Sequence, residues 1–239
     1  MGIMSYIWGL ILLSNGAEST AFAKEALAEQ ISAMRLADGG FALSGTVSNA
    51  DVTAMALIAL APYRENAAVS AAVESALAFL SSAQTENGGF VSYGAENCES
   101  AAQVIIALTA LGIDPANDAR FIKNGKSAVD AVRSFALPGG GYEHTAGGGL
   151  NEMATAQALQ AFTALARFAE GKTPLFELDM QEDLTPAGFI DVGEARNEPT
   201  DTKKADTNEI KNTVSIAVIA LCAIGIGVAL LLPKKKKEE

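Results

Sequence analysis

A chain of 239 residues is long enough for one sizeable domain with accessory segments. Hydrophobic residues make up 49% of it and aromatic residues only 6%, so alanine carries much of the apolar content and closely packed helices are favoured. The net charge of −11 argues against a nucleic-acid partner, because binding phosphates requires a basic surface. The two cysteines, Cys98 and Cys222, are too few for a disulfide framework or a cysteine-rich zinc site.

The first apolar run, residues 3–13, has two interpretations. Together with the Ala-Phe-Ala of residues 21–23 it resembles a signal peptide with an Ala-x-Ala cleavage site. However, no Lys or Arg precedes the run, and Glu18 lies before the supposed cut. Residues 9–13, which end shortly before an Asn-Gly pair, also resemble the later half of helices found further along the chain. We therefore predict that this run is the first helix of a repeat.

Three glycine signatures divide the chain at similar intervals. They are Asp-Gly-Gly-Phe at residues 38–41, Asn-Gly-Gly-Phe at 87–90 and Gly-Gly-Gly-Tyr at 139–142, so that their starts are 49 and 52 residues apart. Such spacing indicates a repeat architecture. A short polar loop and then an alanine-rich helix follow each signature. No alternating run of five or more residues flanks them, so substantial strands are not predicted.

The three alanine-rich helices align without gaps, and an asparagine opens each one: Asn49, Asn97 and Asn151. Asparagine is a preferred N-cap residue, so we predict that these side chains cap the helices. The helices are apolar nearly all round, which predicts burial on both sides. The sequence thus predicts a layer of inner helices, of which residues 3–13 form the first.

Between the inner helices lie segments with a one-sided apolar pattern. The clearest has apolar residues at spacings of four, four and three, with serine and glutamate between them. This pattern is typical of amphipathic helices with one face on a core and one in water. The residues concerned are Val69, Val73, Leu77 and Leu80, with shorter versions at Leu27, Ile31 and Met34 and at Val129 and Val132. The alternating order predicts an all-α double layer of helical hairpins, with about four inner and three outer helices.

The C-terminal part of the chain has the composition of a membrane anchor. Residues 214–232 form an uncharged run of nineteen residues, long enough at 1.5 Å per residue to span a hydrocarbon core of about 30 Å. Pro233 and four lysines follow at once, and the positive-inside rule places that end in the cytoplasm. We therefore predict a single-pass cell-membrane protein whose main domain faces outward.

The segment before this run differs from the rest of the chain. Residues 171–212 are rich in Glu, Asp, Thr and Pro and poor in aliphatic residues, a composition typical of an extended acidic stalk. The predicted organisation is a helical-repeat domain at residues 1–170, this linker, a transmembrane helix at 213–233 and a lysine-rich cytoplasmic tail at 234–239.

Several of these motifs resemble the α/α toroids of terpenoid cyclases and protein prenyltransferase β subunits. Residues 79–90 (Phe-Leu-x-x-x-Gln-x-x-x-Gly-x-Phe) resemble the cyclase QW repeat, with Phe in place of the usual Trp. Residues 51–56 (Asp-Val-Thr-Ala-Met-Ala) are similar to helix starts of the transcobalamin and intrinsic-factor branch. Residues 99–104 and 153–158 resemble those of exported bacterial members of that branch.

This resemblance covers roughly residues 4–178 and implies an α/α toroid. A complete toroid of this family has six hairpins, whereas the chain offers four inner and three outer helices. An unpaired apolar edge is unfavourable, at about 25 cal/mol per Å² of exposed apolar surface. The resemblance therefore implies that sequence before Met1, or a protein partner, completes the ring.

The catalytic motifs of the resembling families are incomplete here. The Asp-x-Asp-Asp acid of class II cyclases has no counterpart. Protein prenyltransferases hold zinc with an Asp-x-Cys pair and a later His, whereas this chain has Glu96-Asn97-Cys98 and carries Met153, not His, near the start of the third helix. Cys98 is therefore a poor zinc candidate, and its simpler interpretation is a small residue near a helix start. No metal site and no cofactor is predicted.

Ligand binding remains as the preferred hypothesis. In a double ring, the ends of the inner helices converge on the central axis, where concave sites form. The residues expected at that mouth are Asn49, Asp51, Asn97, Glu99, Asn151, Tyr93, Tyr142 and His144. In a simpler interpretation, the asparagines and acids are helix caps, and Phe41, Phe90 and Tyr142 pack the glycine turns. His144 is then a loop residue packed on its glycine-rich neighbours.

The sequence therefore favours a non-catalytic domain that binds a small molecule, and the resemblance suggests a corrinoid or another bulky ligand. One alternative is a prenyltransferase-like or cyclase-like enzyme acting on isoprenoids. The other is a surface scaffold whose apolar edge docks a second protein, such as one that completes the ring.

Overall fold

The computed structural model describes residues 2–178. Over this range the chain is mostly helical, as predicted for an all-α fold. Its helices in chain order are α1 (Ile3–Ser14), α2 (Lys24–Ala33), α3 (Ala50–Leu60), α4 (Ala67–Ala83), α5 (Cys98–Ala110), α6 (Ala128–Ser134) and α7 (Glu152–Ala169). The predicted transmembrane helix, the cytoplasmic tail and most of the stalk lie outside the described residues. No helix within residues 2–178 has the length and apolar character needed to cross a bilayer.

The helices form two layers. In the inner layer α1 packs against α3, α3 against α5, and α5 against α7. The outer helices α2, α4 and α6 pack on α1, α3 and α5 respectively, and α2 also contacts α4. Each inner helix and the outer helix after it pack against each other as a pair, joined by residues 15–23, 61–66 and 111–127 respectively. The predicted alternation of inner and outer helices is therefore present in the described residues.

Two inner helices are buried on all sides. In α3 every residue from Val52 to Leu60 is buried, and in α5 every residue from Ser100 to Thr109 is buried. The small side chains of Ala54 and Ala102, both fully buried, allow neighbouring helix axes to approach closely. The prediction of burial on both sides is confirmed for these two helices.

The fourth inner helix, α7, behaves differently. Its buried residues are Ala154, Gln157, Ala158, Ala161 and Ala164, which form a single face toward α5. Leu159, on another face, is 68% exposed. The prediction of burial on both sides is therefore wrong for α7, because no outer helix within residues 2–178 covers it.

The outer helices follow the predicted one-sided pattern. Val69, Val73, Leu77 and Leu80 are all buried along one face of α4. The shorter patterns also hold, except that α2 ends at Ala33, so that Met34 lies at its C-terminal cap and is half-buried. Each outer helix thus contributes one apolar stripe to the core and leaves its polar face in water.

The asparagines cap their helices as predicted. The side-chain oxygen of Asn49 accepts a hydrogen bond from the backbone N–H of Val52 at 3.1 Å. Asn97 and Asn151 do the same for the residues three positions later, each at 2.9 Å. Such a cap stabilises a helix by about 1 kcal/mol relative to alanine. These bonds fix where each inner helix begins.

The glycine signatures form the tight turns that enter each inner helix. Gly39, Gly88 and Gly140 have φ of 94°, 80° and 93°. Residues with a Cβ adopt this left-handed backbone conformation only at a cost in free energy. Two small antiparallel hairpins follow the second and third turns, pairing β1 (Val91–Ser92) with β2 (Ala95–Glu96) and β3 (Tyr142–Glu143) with β4 (Leu150–Asn151). Within residues 2–178, strand pairing is limited to these two hairpins and a few isolated β-bridges.

The aromatic residues of the signatures, together with Gln84 at the end of α4, stabilise these turns. Phe41 and Phe90 are fully buried, which confirms that they pack the turns. The side chain of Gln84, from the motif that resembles the QW repeat, donates to the carbonyl oxygens of Gly88 and Phe121, each at 2.9 Å. Gln84 thereby ties the end of α4 to the second turn and to the loop before α6.

Residues 171–178, which composition assigns to the stalk, belong to the helical domain. The Asn15 side chain donates to the carbonyl oxygen of Phe176 at 2.8 Å and accepts from the N–H of Leu178 at 2.6 Å. The Phe176 ring meets Trp8 edge to face, with centroids 5.9 Å apart. The chain therefore returns from the end of α7 to the end of α1 before the described residues stop.

Candidate functional site

The predicted site residues lie in the loops and first turns that lead into α3, α5 and α7. We call these three segments, residues 38–52, 87–100 and 139–153, the rim. They are equivalent parts of successive repeats, and hydrogen bonds join each one to the next. Because the inner helices begin here, their N-terminal dipoles point in the same sense and favour acidic or hydrogen-bond-accepting groups.

The first junction joins α3 to the second hairpin. The Ser92 hydroxyl donates to Oδ2 of Asp51 at 2.8 Å, and Nδ2 of Asn49 donates to the Ser92 oxygen at 2.8 Å. The other carboxylate oxygen of Asp51, Oδ1, is buried and has no hydrogen-bond partner among the described residues. A buried acceptor without a partner costs free energy, so this oxygen is a point at which a ligand donor would be stabilised.

The second junction joins α5 to the third hairpin. Nδ1 of His144 lies 2.8 Å from Oε2 of Glu99, and the N–H of Cys98 donates to the carbonyl oxygen of His144 at 3.0 Å. The His144 side chain is 52% exposed, whereas that of Glu99 is only 13% exposed. The His144 ring is thus turned toward the carboxylate of the preceding repeat.

The two junctions use equivalent positions. Asp51 and Glu99 each lie two residues after a capping asparagine, and Ser92 and His144 each lie two residues after the aromatic residue of a glycine signature. Both acids and His144 were predicted from the sequence as site residues, whereas Ser92 was not. Aligning the second and third signatures places Ser92 opposite His144, and this was the signal that could have identified it.

The third repeat departs from this pattern. Its helix carries Met153 at the position of the two acids. Tyr142 is half-buried; its N–H donates to Oγ1 of Thr155 at 2.9 Å, and its ring tilts onto Phe162 with centroids 6.2 Å apart. Tyr93 is 82% exposed and stands apart from these contacts. The structure thus joins six of the eight predicted residues in caps and junctions, and leaves the two tyrosines in other surroundings.

The environment of Cys98 does not suit zinc. The thiol is fully buried, and its sulfur lies 3.9 Å from the carbonyl oxygen of Ala154. Burial, with a smaller contribution from the charge of Glu99, raises the pKa of this thiol to about 12. Residues 2–178 contain no cluster of three or more His, Cys, Asp or Glu side chains placed to hold a metal ion.

The rim is strongly acidic. Its three segments contain two Asp and four Glu residues, and no Lys or Arg. The acids are Asp38, Asp51, Glu96, Glu99, Glu143 and Glu152. Negative potential of this kind repels anionic ligands and attracts cationic ones or neutral hydrogen-bond donors.

A small crevice lies near the C-terminal ends of α1, α3 and α5, away from the rim. Ile11, Ile58 and Ile106 line it, and residues 174–177 form its other wall. Burial raises the pKa of the Glu177 carboxyl there, and the charge of Arg64 opposes part of that rise. This crevice is not predictable from the sequence, because the composition of residues 174–177 matches that of the stalk.

No model of a known protein family matches the chain, and a search of curated proteins finds no match. The resemblance to α/α toroids therefore rests on the motifs themselves. The chemistry of the rim is the starting point for a functional proposal.

Proposed function

We propose that this chain is a membrane-anchored, outward-facing α/α-toroid domain that binds a small molecule at the rim and catalyses no reaction. The observation that carries the proposal is the repeated acid–donor junction, Asp51 with Ser92 and Glu99 with His144. These junctions hold two carboxylates at fixed positions along one edge of the inner layer, and one of them keeps a buried oxygen without a partner. Fixed, convergent polar groups are what a small-molecule site requires.

The toroid assignment is part of this proposal. Its support is the alternation of inner and outer helices, together with glycine turns at equivalent positions. In such an arc the rim lies at the concave end of the inner layer, where ligands of helical-repeat proteins bind. Residues 2–178 would supply four inner and three outer helices of the ring.

The charge of the rim defines the class of ligand. Six acids without a Lys or Arg favour a neutral or cationic molecule that donates hydrogen bonds. A corrinoid, which the sequence resemblance suggests, offers several amide N–H donors and is the first ligand to test. The isoprenoid-enzyme alternative is less well supported, because the rim has six acids and no Lys or Arg to bind a diphosphate, and because Cys98 is fully buried.

The test is a titration of the full-length chain, solubilised in mild detergent, with hydroxocobalamin. We expect a saturable change in visible absorption and a rise in the thermal midpoint. Asp51→Asn and Glu99→Gln should each weaken binding by about tenfold, which corresponds to about 1.4 kcal/mol. Glu74→Gln removes an exposed carboxylate on the outer helix α4 and should bind like the unmodified chain. No spectral and no thermal change would rule out corrinoid, and stoichiometric zinc in the purified protein would support the enzyme alternative instead.

The membrane topology is proposed from the sequence, since the apolar run lies beyond residue 178. Protease added to intact cells should remove the helical domain, and the remaining C-terminal fragment should resist extraction at alkaline pH. Protection of the domain in intact cells would contradict the outward orientation. Release of the chain by alkaline extraction would contradict the anchor.

A further inference from the structure

Successive glycine turns can be compared because they are equivalent parts of the repeat. At the first turn, a Cβ on Gly39 would overlap the carbonyl oxygen of Ser75 in α4. At the second, a Cβ on Gly88 would overlap the carbonyl oxygen of Ser127, the residue that caps α6. Each of these turns is therefore closed by the backbone of the next outer helix.

The following glycine of each turn lies closest to a side chain of its own repeat, with a Cβ on Gly40 2.6 Å from Ser48 and one on Gly89 3.0 Å from Glu96, and it also has an outer-helix side chain nearby. A Cβ on Gly40 would lie 2.9 Å from the Phe79 ring, and one on Gly89 would lie 3.6 Å from the Cβ of Ala131. Phe79 lies four residues after Ser75, and Ala131 lies four residues after Ser127. Because residues four apart share a helix face, both outer helices use the same pattern to cover a turn, a serine and then an apolar residue one turn later.

The third turn shares the left-handed glycine of the first two and differs at the next residue: Gly141 has φ of 78°, whereas Gly40 and Gly89 are not left-handed. No outer helix within residues 2–178 covers this turn. Gly140 has φ of 93°, yet a Cβ there would meet no atom of the described chain within 4 Å. Gly141, the next residue, is approached only by Leu150 and Thr155 of its own repeat. The position that α4 and α6 fill at the first two turns is therefore open at the third.

The side chains around the third turn have also changed from polar to apolar. The first turn is fastened by a hydrogen bond of 2.6 Å from Ser48 to Asp38, and the second by one of 3.4 Å from Asn87 to Glu96. The equivalent residues at the third turn are Gly139 and Leu150. Leu150 is 68% exposed, an arrangement that favours burial against another apolar surface.

The helix α7 also has a side that no other helix within residues 2–178 covers. Its exposed residues occur at spacings of three, four and three, which places them on one stripe of the helix. Together with Gly140 and Leu150 they make up what we call the α7 open face. The residues of the stripe are Ala156, Leu159, Thr163 and Ala166.

We propose that the α7 open face is a docking site for an amphipathic α-helix of a partner protein. That helix places a small residue, such as serine, against Gly140 and an apolar residue four positions later over Gly141 and Leu150. The commitment to a helix rests on continuity with the two interfaces that α4 and α6 make at Gly39 and Gly88. A second copy of this chain is disfavoured, because within residues 2–178 its outer helices are already packed on their own inner helices.

The test uses a probe taken from the chain itself. A fluorescein-labelled peptide of residues 66–84, which contains α4 and its capping asparagine, is titrated against the full-length chain in mild detergent, and anisotropy is recorded. We expect saturable binding that Leu159→Lys weakens at least about tenfold. Val47→Lys changes a valine that is 80% exposed on the first repeat, and should leave binding unchanged. A peptide with Ser75→Phe, which is too large for the Gly140 contact, should bind at least about tenfold more weakly.

Other occupants give distinct results, each of which would overturn the proposal. Absence of saturable binding up to about 1 mM peptide, or equal binding by Leu159→Lys, would exclude an outer-helix partner. A dimer that light scattering detects and Leu159→Lys dissociates would assign the face to a second copy. A monomer in which the thiol of Leu159→Cys resists maleimide would assign the face to residues 179–239 of the same chain. None of these results depends on whether the rim binds a ligand.

Discussion

The helices α5 and α7 have closely similar sequences and very different surroundings. Both follow a capping asparagine, both are rich in alanine, and both carry glutamine six residues after the cap. Yet α5 is enclosed by α3, α6 and α7, whereas α7 packs mainly on α5 and on the hairpin before it. The sequence of a repeat therefore determines where a helix forms, whereas the elements that pack beside the helix determine how much of it is buried.

The largest expected difference concerns two equivalent alanines. Ala102 in α5 and Ala156 in α7 each lie five residues after the cap, but Ala102 is fully buried and Ala156 is exposed. Ala102→Leu should lower the free energy of unfolding by about 3 kcal/mol, because three extra carbons must enter a packed layer. Ala156→Leu should change it by less than about 0.5 kcal/mol. Urea denaturation of both variants measures this, and similar values would mean that α7 is covered in solution.

The glycine turns offer the next comparison. Gly88→Ala and Gly140→Ala share the cost of a left-handed backbone, about 1 kcal/mol. Gly88→Ala must also displace the carbonyl oxygen of Ser127, which should add about 2 kcal/mol. Thermal unfolding monitored by circular dichroism measures both variants. If Gly140→Ala proves equally destabilising, the third turn is not open as described.

A smaller effect should come from the polar contact between α5 and α7. Nε2 of Gln103 donates to Oε1 of Gln157 at 2.9 Å, and both side chains are buried. Gln103→Met alone leaves a buried amide without its partner and should cost about 1–2 kcal/mol, whereas Gln103→Met with Gln157→Met should be close to the unmodified chain. A double-mutant cycle of unfolding free energies checks this. Additive losses would show that the two amides do not interact in solution.

The smallest effect concerns α6, the outer helix on α5, which has no counterpart on α7 within residues 2–178. Hydrogen bonds from the hydroxyl and the N–H of Ser127 hold the pKa of the Asp130 carboxyl below its ordinary value. A lowered pKa in the folded state stabilises the fold above the unfolded pKa of about 4, and this contribution is lost as the pH falls through the folded pKa. Because the Asp130 carboxyl is only half-buried and water screens part of its charge, we expect only a few tenths of a kcal/mol.

The measurement is the stability of Asp130→Asn relative to the unmodified chain between pH 2 and pH 6, a window set by those pKa values. The variant should be the less stable of the two at pH 6, and the two should converge toward pH 2. A constant difference across this range would show that ionisation of Asp130 does not contribute. Stability of the third repeat, which has no outer helix in the described residues, should not respond to this variant.

Much of the architecture could be predicted from the sequence because it depends on local chemistry. Apolar periodicity located the outer helices, and Asn49, Asn97 and Asn151 marked the starts of three inner ones. A capping side chain bonds to an amide three residues away, so its role follows from neighbours in the sequence. The glycine signatures likewise predicted tight turns, since only glycine enters the left-handed region without cost.

The features that could not be predicted from the sequence involve residues that are distant in the chain. The pairing of Glu99 with His144 joins residues 45 positions apart, and no local pattern predicts it. The return of residues 171–178 to α1 depends on Asn15, more than 160 positions away in the chain. The exposure of α7 depends on which helices lie beside it. A helix sequence that is apolar on all sides indicates only that the helix tolerates burial, because the neighbouring elements determine whether it is buried.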